Sequence, residues 1–510
     1  MKTTIMAGLI TLLAAALLGS PSSSWAQESA ADAETPAASA LDEAIADLEA
    51  ATPAAQPQQP APLQRPSRRT PQLRLIDVSL GVLLFAGFSS ENDDSISTLQ
   101  GGGHDPKTRG YTLGQAELSL SGAVDPYFTA EAHILSVISP NSGETTFELE
   151  EAFMTTTGLP LGLQLEVGYF LTEFGIINPQ HPHVWDWLDM PIANTRMFGG
   201  DGMRQAGFRA SWLLNTPWFS QLHFGMQHAN GVTMASFLGG EIAHAHGGGG
   251  HDHGGEGAEE EADAHAGHAH AAAQAEEDEH EHGEDEHDDH SAEGGPGIGG
   301  RPIIAQDVRQ LKDFVYLMRW ENAFDLSDDL TAVFGASSLL GPNSSGPAGS
   351  TWLYGFDMKW RWQPANSFRG YPFLMWQTEY MRRNYEAAAA SMAVTLEDGD
   401  TETVTFRADT LEDWGMYTQL LYGPVINLAV GMRFEYADGR GVGYNHGGID
   451  ADPFRNERYR VSPLISWRTS EFARIRLQYN YDKATHLEDY AHSVWLGFEW
   501  MYGAHPAHKF

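Results

Sequence analysis

From Leu73 to Tyr502 apolar and polar residues alternate with a period of two. The alternation comes in segments of about ten residues, the length a tilted strand needs to cross a bilayer. Trp352, Tyr354, Phe356, Met358, Trp360 and Trp362 alternate with Leu353, Gly355, Asp357, Lys359 and Arg361, so one face is apolar and the other carries charge. The same pattern runs through Ile426 to Tyr436 and through Arg474 to Asp482. Candidate strands begin near Ile76, Gly114, Phe128, Thr146, Leu161, Met203, Gln221, Phe314, Leu330, Trp352, Phe373, Trp414, Ile426, Arg458, Ala473 and Val494. Short connections, such as Val124-Asp125-Pro126, Asn215-Thr216-Pro217 and Gly423-Pro424, alternate with long ones at 89–110, 171–202, 229–312, 384–412 and 438–456. Short turns on one side and long loops on the other, with both termini in the periplasm, are the connectivity of a membrane barrel. The pattern therefore predicts an all-β, transmembrane antiparallel β-barrel of about 16 strands, with 14 to 18 open. A soluble sandwich also alternates, but its apolar face is mostly aliphatic. Here Trp and Tyr gather near strand ends, where the aromatic girdles of a membrane barrel stand.

The regions flanking the barrel have their own composition. Lys2, the apolar run Ile5 to Leu18 and the small-x-small Ser24-Trp25-Ala26 predict a signal peptide over 1–26. Residues 27–72, rich in Ala, Pro and Gln, cannot bury a core and read as a disordered periplasmic linker, leaving 73–510 for the barrel. Leu41, Ile45 and Leu48 interrupt the linker at helical spacing, in a stretch too short for a stable lone helix. The expected location is the outer membrane of a Gram-negative-type bacterium, with outer-membrane lipid as the surrounding partner. Gly497, Trp500 and Tyr502 in LGFEWMY resemble the glycine–aromatic signature by which such barrels address the barrel-assembly machinery. A homotrimer, common among porins, is a further expected assembly.

Charge changes the picture in two places. The net charge of −38 argues against a nucleic-acid partner. If the apolar faces meet lipid, the alternate residues line the lumen. Early strands then point Glu117, Glu131, Glu148, Glu150 and Glu166 inward, and later ones point Arg319, Lys359, Arg361, Arg433, Arg458, Arg460, Arg474 and Arg476. Opposed acidic and basic walls set up a transverse field in a water-filled pore; charges that pair across it would close the barrel instead. At about 16 strands side chains no longer fill the interior, which favours a channel. The 171–202 loop, with Glu173, His181, His183, Trp185, Asp186, Trp187 and Asp189, is expected to fold inward as a constriction. His181 and His183 flank a proline, which suits a turn, and either a metal contact or a hydrogen-bonded structural role.

The second place is 241–293, which holds 18 acidic residues and His244, His246, His251, His253, His265, His268, His270, His280, His282, His287 and His290. Gly and Ala fill the gaps, so the segment reads as a disordered extracellular loop. With no Cys in the chain, His, Asp and Glu are the only strong ligand types. Paired imidazoles with carboxylates suit Zn²⁺ first, with Cu²⁺ and Ni²⁺ binding the same donors. A solvated acidic loop is the plainer alternative, but acid alone would serve that purpose.

The stretch Phe174 to Gly202, with NPQHPH, WDW and FGGDG, together with QHANGVTMASFLG and the GAHPAHKF ending, resembles a family of poorly characterised porin-like outer-membrane proteins. These carry a His-rich insertion and are often labelled zinc-regulated or TonB-dependent receptors. The resemblance implies a barrel and a role in zinc uptake; it implies no particular site residues. The expected function is an outer-membrane channel for small solutes, assisting divalent-metal uptake. A general or anion-preferring porin and a gated TonB-dependent-type metal receptor are the alternatives. A TonB-dependent barrel has about 22 strands and a plugged lumen, and 27–72 is a short segment for a plug. No nucleophile elbow or acid–base pair is recognisable by spacing, so neither an enzyme nor a catalytic cofactor is expected.

Overall fold

The computed structural model describes residues 76–138, 143–239, 297–395, 401–441, 445–446, 449–450 and 452–503. The expected signal peptide (1–26), linker (27–72) and His-rich loop (241–293) lie outside the described residues, as does 504–510.

Eleven strands open the wall: β1 (Asp77–Ser89), β2 (Gly110–Ala123), β3 (Phe128–Ile138), β4 (Thr145–Thr156), β5 (Leu163–Leu171), β6 (Arg204–Leu213), β7 (Phe219–Gln227), β8 (Val315–Ser327), β9 (Leu330–Pro342), β10 (Ser350–Trp362) and β11 (Phe373–Ala387). A hairpin of β12 (Ala390–Thr395) and β13 (Thr401–Phe406) stands outside the barrel sheet. β14 (Asp409–Val425) and β15 (Leu428–Arg440) follow, then the small pair β16 (Asn445–His446) and β17 (Ile449–Asp450). β18 (Arg458–Ser470), β19 (Ala473–Ala484) and β20 (Ala491–Gly503) complete the wall. Sixteen strands pair antiparallel with their neighbours, and β1 closes on β20 in the register Ser79↔Gly503 to Ser89↔Ser493. Closure leaves no free edge, as a membrane-spanning sheet requires.

The outer surface confirms which face is which. Along β10, Thr351, Leu353, Gly355 and Asp357 are buried, while Trp352 and Phe356 are exposed. At the short-turn end Tyr127, Trp212, Trp218, Trp362, Trp467, Trp500 and Tyr502 point outward; at the other end Phe88, Tyr111, Phe147, Tyr316, Trp352 and Tyr490 do. These are the two girdles of a membrane barrel. The most deeply buried large side chains include Arg204, Arg319, Arg433, Arg460 and Arg476, the reverse of a soluble sandwich. Among the described residues no helix is long and apolar enough to cross a membrane. This closed barrel, apolar outside and polar within, is an outer-membrane structure.

Two loops turn inward from the long-loop end. Helix α1 (Asp93–Leu99) starts where the Asn92 side chain accepts from Ser95 N at 2.8 Å, with Asp93 and Asp94 favourably placed in its first turn. Helix α2 (Ile192–Phe198) belongs to the β5–β6 loop and is buried along its whole length.

Candidate functional site: a lumenal constriction

The β5–β6 loop, residues 172–203, fills part of the lumen. Phe174, Met197 and Phe198 pack with Leu317, Leu339, Leu353 and Met381 of the wall. Trp187 packs with Met375, Leu421 and Leu464 and donates to Ser462 O at 2.9 Å. Gly431 and Gly497 leave the room that Trp187 and Leu188 occupy; a Cβ at either glycine would meet those side chains.

Polar side chains of the wall hold the loop backbone. Arg476 donates to Trp185 O and Trp187 O at 2.9 and 3.0 Å, and Arg474 to His183 O at 2.9 Å. Gln478 Oε1 accepts from Leu188 N at 2.7 Å, and Glu435 accepts from Ile192 N at 2.7 Å. Asp189 is the hub: Arg433 pairs with it, Arg460 reaches it at 2.8 Å, and Gln478 and Asn480 each donate to it at 2.8 Å. Burial raises the Asp189 carboxyl, but the two guanidiniums and two amides outweigh that and hold it well below the usual carboxylate range. Its neighbour Asp105 behaves oppositely. It accepts from Gly102 N and Met190 N at 2.8 and 2.9 Å, yet burial, with Asp189 nearby, pushes its carboxyl up to about 7.

The acidic and basic walls are not segregated as alternation along the strands implied. Later strands also turn Asp357, Glu379, Asp413, Glu435, Asp482 and Glu499 inward, and β6 contributes Arg204 and Arg209. Arg319 is 2.6 Å from Asp357, Arg458 2.9 Å from Asp482, and Arg474 and Arg476 are 2.8 and 2.5 Å from Glu499. Glu148 pairs with Arg204, and Glu166 and Glu173 with Arg209. The reason is energetic: buried charge persists only when paired and hydrogen-bonded. Lys359 is half-buried, Arg361 is exposed at the short-turn end and bonds Gln363, and Asp186 is half-buried.

The other predicted residues converge at β2–β4. His181 precedes and His183 lies within a single turn, Pro182–Val184, with stacked rings 5.6 Å apart. His183 Nδ1 lies 2.9 Å from Glu117, and His181 lies 2.7 Å from Glu150 and 2.8 Å from Glu151. His133 Nδ1 is 3.1 Å from Glu117, and its Nε2 is 3.9 Å from Glu131. A bulge makes this possible: His133 pairs with Glu151 and Ile134 with Leu149, so Glu150 is the extra residue, and both carboxylates reach His181. Burial lowers the His181 imidazole, but Glu150 and Glu117 outweigh it and hold it well above the usual histidine range. Sequence reasoning missed His133 and Glu151. His133 shares the inward parity of Glu131 and could have been found; Glu151 faces the lumen only through the bulge.

No protein-family model matches the chain. Over 140 residues it is 37% identical to an uncharacterized protein of Aquifex aeolicus (strain VF5), covering 27% of this chain and 28% of that protein's length. Among solved structures it is similar to the anion-selective porin from Comamonas acidovorans, at 7% identity and TM-score 0.44, covering 84% of this chain and 99% of that one. It is also similar to the outer-membrane channel DcaP of Acinetobacter baumannii, at 9% identity and TM-score 0.44, covering 84% and 97%. OmpT of Vibrio cholerae gives 8% identity and TM-score 0.43, with 84% and 97% covered. The barrel assignment rests on the strand closure itself.

Proposed function

We propose that the chain is an outer-membrane channel for small solutes, with zinc or a similar divalent metal among its cargo. The observation that carries this reading is the closed 16-strand wall with a polar interior narrowed by its own β5–β6 loop. At that circumference wall side chains alone do not fill the interior. Metal as cargo is supported by composition: 241–293 concentrates half of the chain's 22 histidines beside 18 acidic residues. Such a segment gathers divalent ions at the mouth with high capacity and modest affinity. The anion-preferring alternative is weaker, because the arginines of β18 and β19 are engaged with carboxylates and loop carbonyls.

The test is single-channel conductance of the refolded chain in a planar bilayer, with Zn²⁺ titrated on the long-loop side. Expected is an open channel whose current changes with zinc, and a 241–293 deletion that keeps conductance but loses the response. A zinc-indifferent current would make the chain a general porin, and absence of conductance would overturn the channel.

A further inference from the structure

We propose that Glu117, His133 and His181 form a divalent-metal site inside the barrel, where the inward loop meets β2 and β3. Each offers one donor atom, and the three atoms lie within 4.8 Å of one another. His133 Nδ1 and His181 Nδ1 stand 3.1 and 3.8 Å from the same Glu117 oxygen. Two zinc bonds of about 2.0–2.2 Å at a tetrahedral angle place their donors roughly 3.3 Å apart, and the two distances bracket that value.

The surroundings are those of a metal site too. A histidine bound to metal through one nitrogen almost always gives its other N–H to a carboxylate or carbonyl, which fixes ring and tautomer. His181 Nε2 lies 2.8 Å from Glu151 and meets this condition; His133 Nε2 stands 3.9 Å from Glu131, longer than a hydrogen bond. Glu150 Oε2, 2.7 Å from His181 Nδ1, is the nearest further donor.

Charge supplies a second, independent argument. Glu117, Glu131, Glu150 and Glu151 surround His133, His181 and His183, and among the described residues no Lys or Arg lies within ion-pair distance of these four carboxylates. Glu166, Glu173, Asp357, Asp413, Asp482 and Glu499 each have a guanidinium partner. These carboxylates face imidazoles and no guanidinium, and imidazole donors select Zn²⁺, Cu²⁺ or Ni²⁺ over Mg²⁺ and Ca²⁺. The bound ion would also join the loop to the wall, so the site goes beyond cargo and does not require that zinc be transported.

The test is crystallography of the full chain soaked in zinc chloride, with anomalous differences collected at the zinc edge. Expected is a peak about 2.0–2.2 Å from a Glu117 oxygen and from one nitrogen each of His133 and His181. No peak there, at zinc concentrations that label other histidines, overturns the site. A calorimetric zinc titration of the full chain against His133→Gln provides a second measurement. One bound equivalent is expected to be lost, and an unchanged stoichiometry overturns the site. A peak in a barrel whose conductance ignores zinc keeps the site and removes the cargo; a zinc-responsive channel without the peak does the reverse.

Discussion

The inward loop rests on two sides of the barrel that hold it by different chemistry. Toward β15, β18 and β19, guanidinium groups of Arg433, Arg460, Arg474 and Arg476 clasp Asp189 and the carbonyls of 183, 185 and 187. Toward β2, β3 and β4, imidazoles of His133, His181 and His183 face Glu117, Glu150 and Glu151. Arginine stays protonated at any physiological pH, so the first side is a permanent anchor. Imidazole can give up its proton to bind a metal ion, so the second side takes its state from the metal in solution. The same loop thus has a fixed edge and an exchangeable one.

The largest expected effect comes from breaking the fixed edge. Asp189→Ala removes the anion that Arg433 and Arg460 share and leaves them Glu435 and Asp482 at 2.8 Å; losing hydrogen bonds to a buried charged group costs about 1.5–3 kcal/mol. Expected are protease cleavage within 172–203 and a larger single-channel conductance. If both stay as in the parent chain, charge is not what anchors this edge.

A smaller effect sharpens the comparison by pH. Asp189, held well below the usual range, does not titrate between pH 5 and 8. Asp105 does, since its docked carboxyl is raised to about 7 from an ordinary 3.8. A raised acid binds its proton more tightly when docked, so its contribution to docking is complete below about pH 4 and is lost as pH rises through about 7. Proteolysis of the loop is therefore expected to accelerate from pH 5 to pH 8 in the parent and to lose that slope in Asp105→Asn. An equal slope in both would assign the pH response to other groups.

The smallest effect is on the exchangeable edge. His183→Gln removes the 2.9 Å contact with Glu117 and is expected to cost about 1 kcal/mol. Hydrogen exchange of the loop amides reads it. A loss as large as that of Asp189→Ala would erase the distinction between the two edges.

The sequence alone determined the barrel. Lipid outside and water inside impose a period of two on every strand, and turn spacing is equally local, so sixteen strand starts were legible within a few residues. The largest departures were Gly114 against Gly110 and Trp414 against Asp409. The girdles were legible for the same reason, as were Glu117, Glu150, His181 and His183 as individual inward or loop residues. Tertiary structure decided what those residues meet. Which charges neutralise one another depends on closure and on where a loop of some thirty residues folds back, and neither is written in local alternation. The bulge opposite His133 depends on the pairing of β3 with β4, and it alone brings Glu151 to His181. A period of two tells which face a side chain takes; only the folded wall tells which partner stands across the lumen.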